Sequence, residues 1–145
     1  MADNGKYREN SQSVQTHLQI IQSVIQRMAS NSTSCKAWCI TLVSAILVVV
    51  ADKGKPQYTL IAIFPSILFL FLDAYYLALE KMFRESYNSF IEKLYKGTLV
   101  ASDLYVVSPH GNLVKSVFKS LLSFSIWPFY STLLVMVWIT KVFVM

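Results

Sequence analysis

Three long apolar runs without a charged residue limit what this chain can fold into more than any other feature. The runs hold 15, 17 and 21 residues and cover 37–51, 56–72 and 120–140. A helix needs about 20 mostly apolar residues to cross a bilayer. The third run has that length. The first two approach it by continuing past one charged residue each, past Lys36 into the uncharged residues 28–35 and past Asp73 into 74–79. We therefore expect three transmembrane helices, at residues 35–52, 57–79 and 120–141.

Composition leads to the same class of protein. The chain has 145 residues, of which 54% are hydrophobic and only 14% charged, and its mean hydropathy is +0.47. So small a soluble domain cannot bury that much apolar surface. The net charge of +5 could indicate nucleic-acid binding, but no motif supports it. The position of the basic residues beside apolar runs favours membrane lipid as the partner.

The short turn at residues 52–56 joins the first two runs into an antiparallel hairpin. Apolar residues continue at helical spacing on both sides, in a first seam at Val14, Leu18, Ile21, Ile25 and Met28 and a second at Phe83, Tyr87, Phe90 and Leu94. The polar run at residues 30–34 is the expected kink. We predict two long helices, at 10–51 and 57–96, in which residues whose numbers sum to about 109 lie opposite one another.

The predicted fold is thus an all-α integral membrane protein, a long helical hairpin extending from the bilayer into the cytosol plus a third C-terminal transmembrane helix. As one membrane domain over residues 1–145, it divides into a cytosolic amphipathic helix (10–34), the first span (35–52), the second span (57–79), a cytosolic helix (80–97), a connector with an amphipathic helix (98–119) and the third span (120–141). The helix that starts at Leu113 should run into the last span, with a kink at Pro128.

Basic residues set the expected topology. Ten of the 13 lysines and arginines fall in the N-terminal segment up to Lys36 or between the second and third spans, including Lys6 and Arg8. Because basic loops stay in the cytoplasm, the N-terminus should be cytoplasmic and the C-terminus outside. The expected location is a bacterial inner membrane.

The chain carries no recognisable enzyme signature. Cys35 and Cys39 lie on one helical face, but His17 and His110 are distant in sequence and complete no zinc motif. Packing is the preferred interpretation of both cysteines and of His17. A glycine-rich phosphate loop and hydrolase motifs are absent from the sequence. We expect no enzyme activity, no metal and no cofactor.

Asp73 is the most informative polar residue, because a carboxylate at the end of an apolar run needs a partner or a water-filled path. The hairpin rule places Lys36 opposite it. A structural ion pair is the preferred interpretation, with a pore or gating role as the alternative. A stripe of small residues on the first span permits close helix contact. Packing within the hairpin is the preferred interpretation, with an oligomer contact or the lining of a hydrated path as the alternatives. The stripe consists of Ala37, Thr41, Ser44, Ala45 and Val48.

Two stretches resemble a known family. They are Gln26-Arg27-Met28-Ala29-Ser30-Asn31-Ser32 followed by Lys36-Ala37-Trp38, and Phe71-Leu72-Asp73-Ala74-Tyr75-Tyr76 followed by Glu80, Phe83-Arg84 and Tyr87. Over residues 10–96 the chain is similar to the SLATT-type small bacterial membrane proteins. That resemblance implies a membrane effector of anti-phage defence, controlled by a nucleotide signal or a partner sensor, that acts by forming a pore. It also implies gating or inter-helix roles for Arg27, Asn31, Lys36, Trp38, Asp73, Glu80 and Arg84.

Two functions follow as alternatives. The first is a homo-oligomeric pore, for which a tetramer is the expected state, that disrupts the inner membrane when a cytosolic sensor or signal triggers it. The second is a non-conducting membrane anchor that recruits a cytosolic partner through the hairpin.

Overall fold

The structure is a computed structural model that describes residues 9–143, and in this range every regular element is helical. The order is α1 (Gln12–Lys53), a 3-10 helix (Pro56–Ala62), α2 (Ile63–Tyr95), a short 3-10 helix (Ala101–Asp103), α3 (Leu113–Leu121) and α4 (Trp127–Phe143). The topology prediction for Lys6, Arg8 and the C-terminus Met145 falls outside the described residues.

The antiparallel hairpin of α1 and α2 is the central element, as predicted. α1 ends at Gly54, whose positive φ of 58° suits a residue without Cβ. The buried side of α1 is a nearly straight seam at three- and four-residue steps, which includes Val14, Ile21 and Met28. α1 is one unbroken helix through residues 30–34.

The second helix differs from its prediction in the first two turns. The sequence predicts a continuous α-helix from residue 57, whereas Pro56–Ala62 forms a 3-10 helix. Pro65 has no amide hydrogen to donate to the carbonyl of Ile61, so the α-helical hydrogen bond is lost there. The α-helix begins at Ile63, so Pro65 falls in its first turn, where the N–H groups have no partner within the helix.

The far end of the hairpin is closed by a glycine cap and a docked connector. Gly97 has a φ of +66°, and the Thr98 N–H donates to the Lys93 carbonyl at 3.0 Å, which is a Schellman motif. The chain then turns back along the hairpin. Leu99 and Leu104 pack with Val14 and Phe90 in one small core, so the two predicted seams meet here beneath the connector.

The prediction of one continuous third helix was wrong. α3 ends at Leu121 and α4 begins only at Trp127, with turn hydrogen bonds from the amides of Ser123 and Ile126 between them. Pro128 lies in the first turn of α4, where an amide hydrogen would have no partner within the helix. It therefore lies at the start of a helix and does not kink one. The 17 residues of α4 span about 25 Å at 1.5 Å per residue, less than the predicted third span.

Apolar side chains lie on the outside of the bundle as well as in its core. Residues of α1, α2 and α4 form the main cluster, around Cys39, Val43, Leu77 and Tyr130. Many large apolar side chains of the same helices remain exposed, among them Phe64, which is 74% exposed. Two helical stretches, Gln12–Lys53 and Gln57–Tyr95, are long and apolar enough to cross a membrane.

Candidate functional site

A polar cluster lies inside the apolar hairpin, where α1 faces α2. Asp73 on α2 is completely buried. Its Oδ2 lies 2.6 Å from Lys36 Nζ, and its Oδ1 accepts a hydrogen bond of 2.5 Å from the Ser32 hydroxyl. Lys36 Nζ also donates to Ser32 Oγ at 3.4 Å. The three side chains therefore form one closed network between the two helices.

The local sequence explains how these groups meet. Ser32 and Lys36 are four residues apart on α1 and so lie one turn apart on the same face. On α2, Ala74 and Ala78 are both fully buried, and such small side chains let two helices approach closely. Lys36 and Asp73 occupy the positions that the sum of 109 assigns to them, because the turn at Gly54 sets the register.

Removing one charge from this cluster should destabilise the protein. The side chain of Lys36 is 21% exposed, whereas that of Asp73 is not exposed at all. Lys36 can therefore partly reach a polar phase, but Asp73 depends entirely on its two partners. Losing one member of a buried ion pair costs about 3–5 kcal/mol, since an uncompensated charge is left behind.

Helix α4 adds a third wall to the cluster. The Tyr130 hydroxyl is buried and has no aligned hydrogen-bond partner among the described residues, yet it lies close enough to Asp73 to interact with its charge. Both cysteines are free and buried on the same seam, and Cys39 contacts Ser66. Within residues 9–143, no group of three acidic, histidine or cysteine side chains is placed to hold a metal ion.

The other residues implied by the resemblance lie outside this cluster. Arg27, Trp38 and Arg84 are exposed, while Asn31 and Glu80 are half-buried. Glu80 Oε1 pairs with Arg84 Nη2 at 2.7 Å, one turn away on the same helix. That pair therefore stabilises α2 itself and does not join it to α1.

The small-residue stripe lies on the opposite side of α1 from the hairpin contact. All five of its residues are exposed: Ala37, Thr41, Ser44, Ala45 and Val48. Packing within the hairpin, the preferred interpretation from sequence, is therefore wrong for this stripe. The contact with α2 is made instead by Cys35, Cys39 and Val43, about half a turn around the helix.

Three members of the site were missed by the sequence reasoning. Ser32 belongs to the run that predicts a kink, although its spacing of four from Lys36 is a usable signal. Ser66 lies in α2, and the sum of 109 places it opposite Val43, one turn from Cys39. Tyr130 carries no such signal, because its approach to the cluster depends on how α4 packs. Comparison of the chain with known protein families, characterised proteins and solved structures gives no match.

Proposed function

We propose that this protein is a multi-pass bacterial inner-membrane effector that assembles into a homo-oligomeric pore. The observation that carries the proposal is the fully buried Asp73, tied to Lys36 within an otherwise apolar hairpin. Ionisable groups at membrane depth are costly and are usually retained for function. Its role in anti-phage defence rests on the resemblance of residues 10–96 to the SLATT-type proteins alone.

The geometry favours a locking role for Asp73 over a pore-lining role. Its carboxylate lies inside a single chain, between α1, α2 and α4, and not on the outer surface. A path lined by Asp73 would require these helices to separate. The Lys36–Asp73 pair is then the contact that keeps the hairpin closed until a signal or partner loosens it.

The exposed stripe on α1 supports assembly. Three short apolar spans are too few to enclose a conducting path, so a pore requires several copies. Ala37, Ser44 and Ala45 are exposed and small enough for close packing of another helix. A ring of copies joined through this stripe leaves the Lys36–Asp73 pair inside each copy.

Membrane potential in cells tests the proposal. Asp73→Asn or Lys36→Met should depolarise the inner membrane at expression levels where the wild-type protein does not, because either change removes the lock. Asp52→Asn is the matched control, since its carboxylate is 75% exposed at the turn. If neither lock variant depolarises cells while both are inserted at wild-type levels, the proposed lock on a pore is refuted. The anchor alternative then stands.

A further inference from the structure

The connector, residues 98–112, is hydrogen-bonded to the hairpin through a buried imidazole. His17 on α1 is 1% exposed, and its Nδ1 accepts a hydrogen bond of 2.9 Å from the backbone N–H of Tyr105. The ring lies against Phe90 of α2, with centroids 4.3 Å apart. An imidazole nitrogen can accept this bond only when it carries no proton. The contact therefore requires neutral His17, with its proton on Nε2.

Tyr105 depends on this hydrogen bond. Its φ of 67° is the one positive value at a non-glycine residue in the described range, and a side chain with Cβ adopts that conformation only at an energetic cost. The contact with His17 compensates for the strain while it lasts. Once it is lost, the backbone at Tyr105 relaxes toward ordinary extended or helical values.

The charged groups around His17 do not replace the hydrogen bond. From the connector, Asp103 faces the ring, but its Oδ1 is held by Lys93 of α2 at 2.7 Å and its Oδ2 accepts the Val100 N–H at 3.1 Å. These bonds lower the pKa of Asp103, so it stays ionised in the range where histidine titrates. His110 lines the same cavity, which has a volume of about 170 Å³.

We propose that His17 is a proton-operated latch, which holds the connector on the hairpin at neutral pH and releases it on acidification. A proton on Nδ1 turns the acceptor into a donor that faces the Tyr105 N–H, and it places a positive charge among Phe90 and other buried groups. Release of the connector frees the segment that leads into α3 and α4. The latch is independent of whether the protein conducts.

The direction of the pH effect follows from burial. Desolvation lowers the pKa of His17 from its ordinary 6.5, and the charge of Asp103 opposes this less strongly. The released state therefore binds a proton more readily than the latched state. The contribution of the latch is fully present above about pH 6.5 and declines as pH falls below it, by up to tenfold in the opening equilibrium per pH unit.

Hydrogen exchange of the full chain in lipid nanodiscs tests the latch. Peptides covering 99–111 should lose protection by up to about tenfold between pH 6.5 and pH 5.5, after correction for intrinsic exchange rates. His17→Gln keeps a side-chain acceptor that does not titrate, so its protection should not change with pH. His17→Phe keeps the packing against Phe90 but has no acceptor, and its connector should be unprotected at both pH values.

His110→Gln is the matched control, because it removes the other histidine of the same cavity. This variant should retain the wild-type pH dependence. The proposal is overturned if wild-type protection is the same at both pH values, if His17→Gln still follows pH, or if His110→Gln abolishes the effect.

Discussion

Removing the charges of Lys36 and Asp73 separately should cost unequal amounts of stability. Lys36→Met leaves Asp73 with no exposure and only the Ser32 hydroxyl as partner, so we expect a loss of about 3–5 kcal/mol. Asp73→Asn leaves an ammonium group that is 21% exposed and can reach toward a polar phase. Its loss should be smaller, on the order of 1–3 kcal/mol, which is the cost of an unsatisfied buried polar group.

A double-mutant cycle measures the interaction itself. The variant with both changes should recover part of the loss, with a coupling on the order of 0.5–3 kcal/mol for a direct contact. Reversible unfolding in mixed micelles, followed by circular dichroism, supplies the four free energies of unfolding.

The turn of the hairpin offers the control for this cycle. Asp52 and Lys53 are 75% and 68% exposed with their charged atoms 3.9 Å apart, so Asp52→Asn and Lys53→Met should show no measurable coupling. Additive effects at Lys36 and Asp73 would refute the argument, as would a larger loss for Asp73→Asn than for Lys36→Met.

Three further predictions concern the cap, the assembly and the topology. Gly97→Ala should destabilise the protein by about 1 kcal/mol. Backbone strain is the only cause, because a Cβ at Gly97 meets no atom within 4 Å. Thermal unfolding measures the loss, which should be smaller for Gly97→Asn. Ala45→Trp on the exposed stripe should reduce the chemically cross-linked oligomer, whereas a native-sized oligomer would exclude this stripe as the interface. A reporter inserted near Lys96 should be cytoplasmic and one fused after Met145 external; two reporters on one side would contradict three crossings.

The hairpin could be predicted from sequence because its helices and its turn are each marked by features of neighbouring residues. Charge-free runs mark the long helices, and the turn at Gly54 sets a register that places Lys36 opposite Asp73. The same register brings Ile25 and Arg84 to one cavity of about 470 Å³ between the helices. The residue numbers alone predict which positions face each other when two helices pack side by side without an insertion.

The parts that could not be predicted depend on contacts between distant segments. Small residues on α1 indicate close packing but not which neighbour they contact, and the stripe proved to be exposed. Pro128 is compatible with either a kink or a helix start, and the polar turn at Ser123 decided between them. The bond from Tyr105 to His17 joins residues 88 positions apart, for which the sequence pattern holds no signal.

Planar-bilayer recording of purified protein tests the central claim, that the Lys36–Asp73 pair locks a conducting assembly. We predict rare openings for the wild-type protein and a higher open probability for Asp73→Asn, with ion selectivity unchanged because the carboxylate is buried within each chain. A shift in cation selectivity would instead place Asp73 in the path. The absence of conductance from both proteins, at densities where the oligomer forms, would contradict the account.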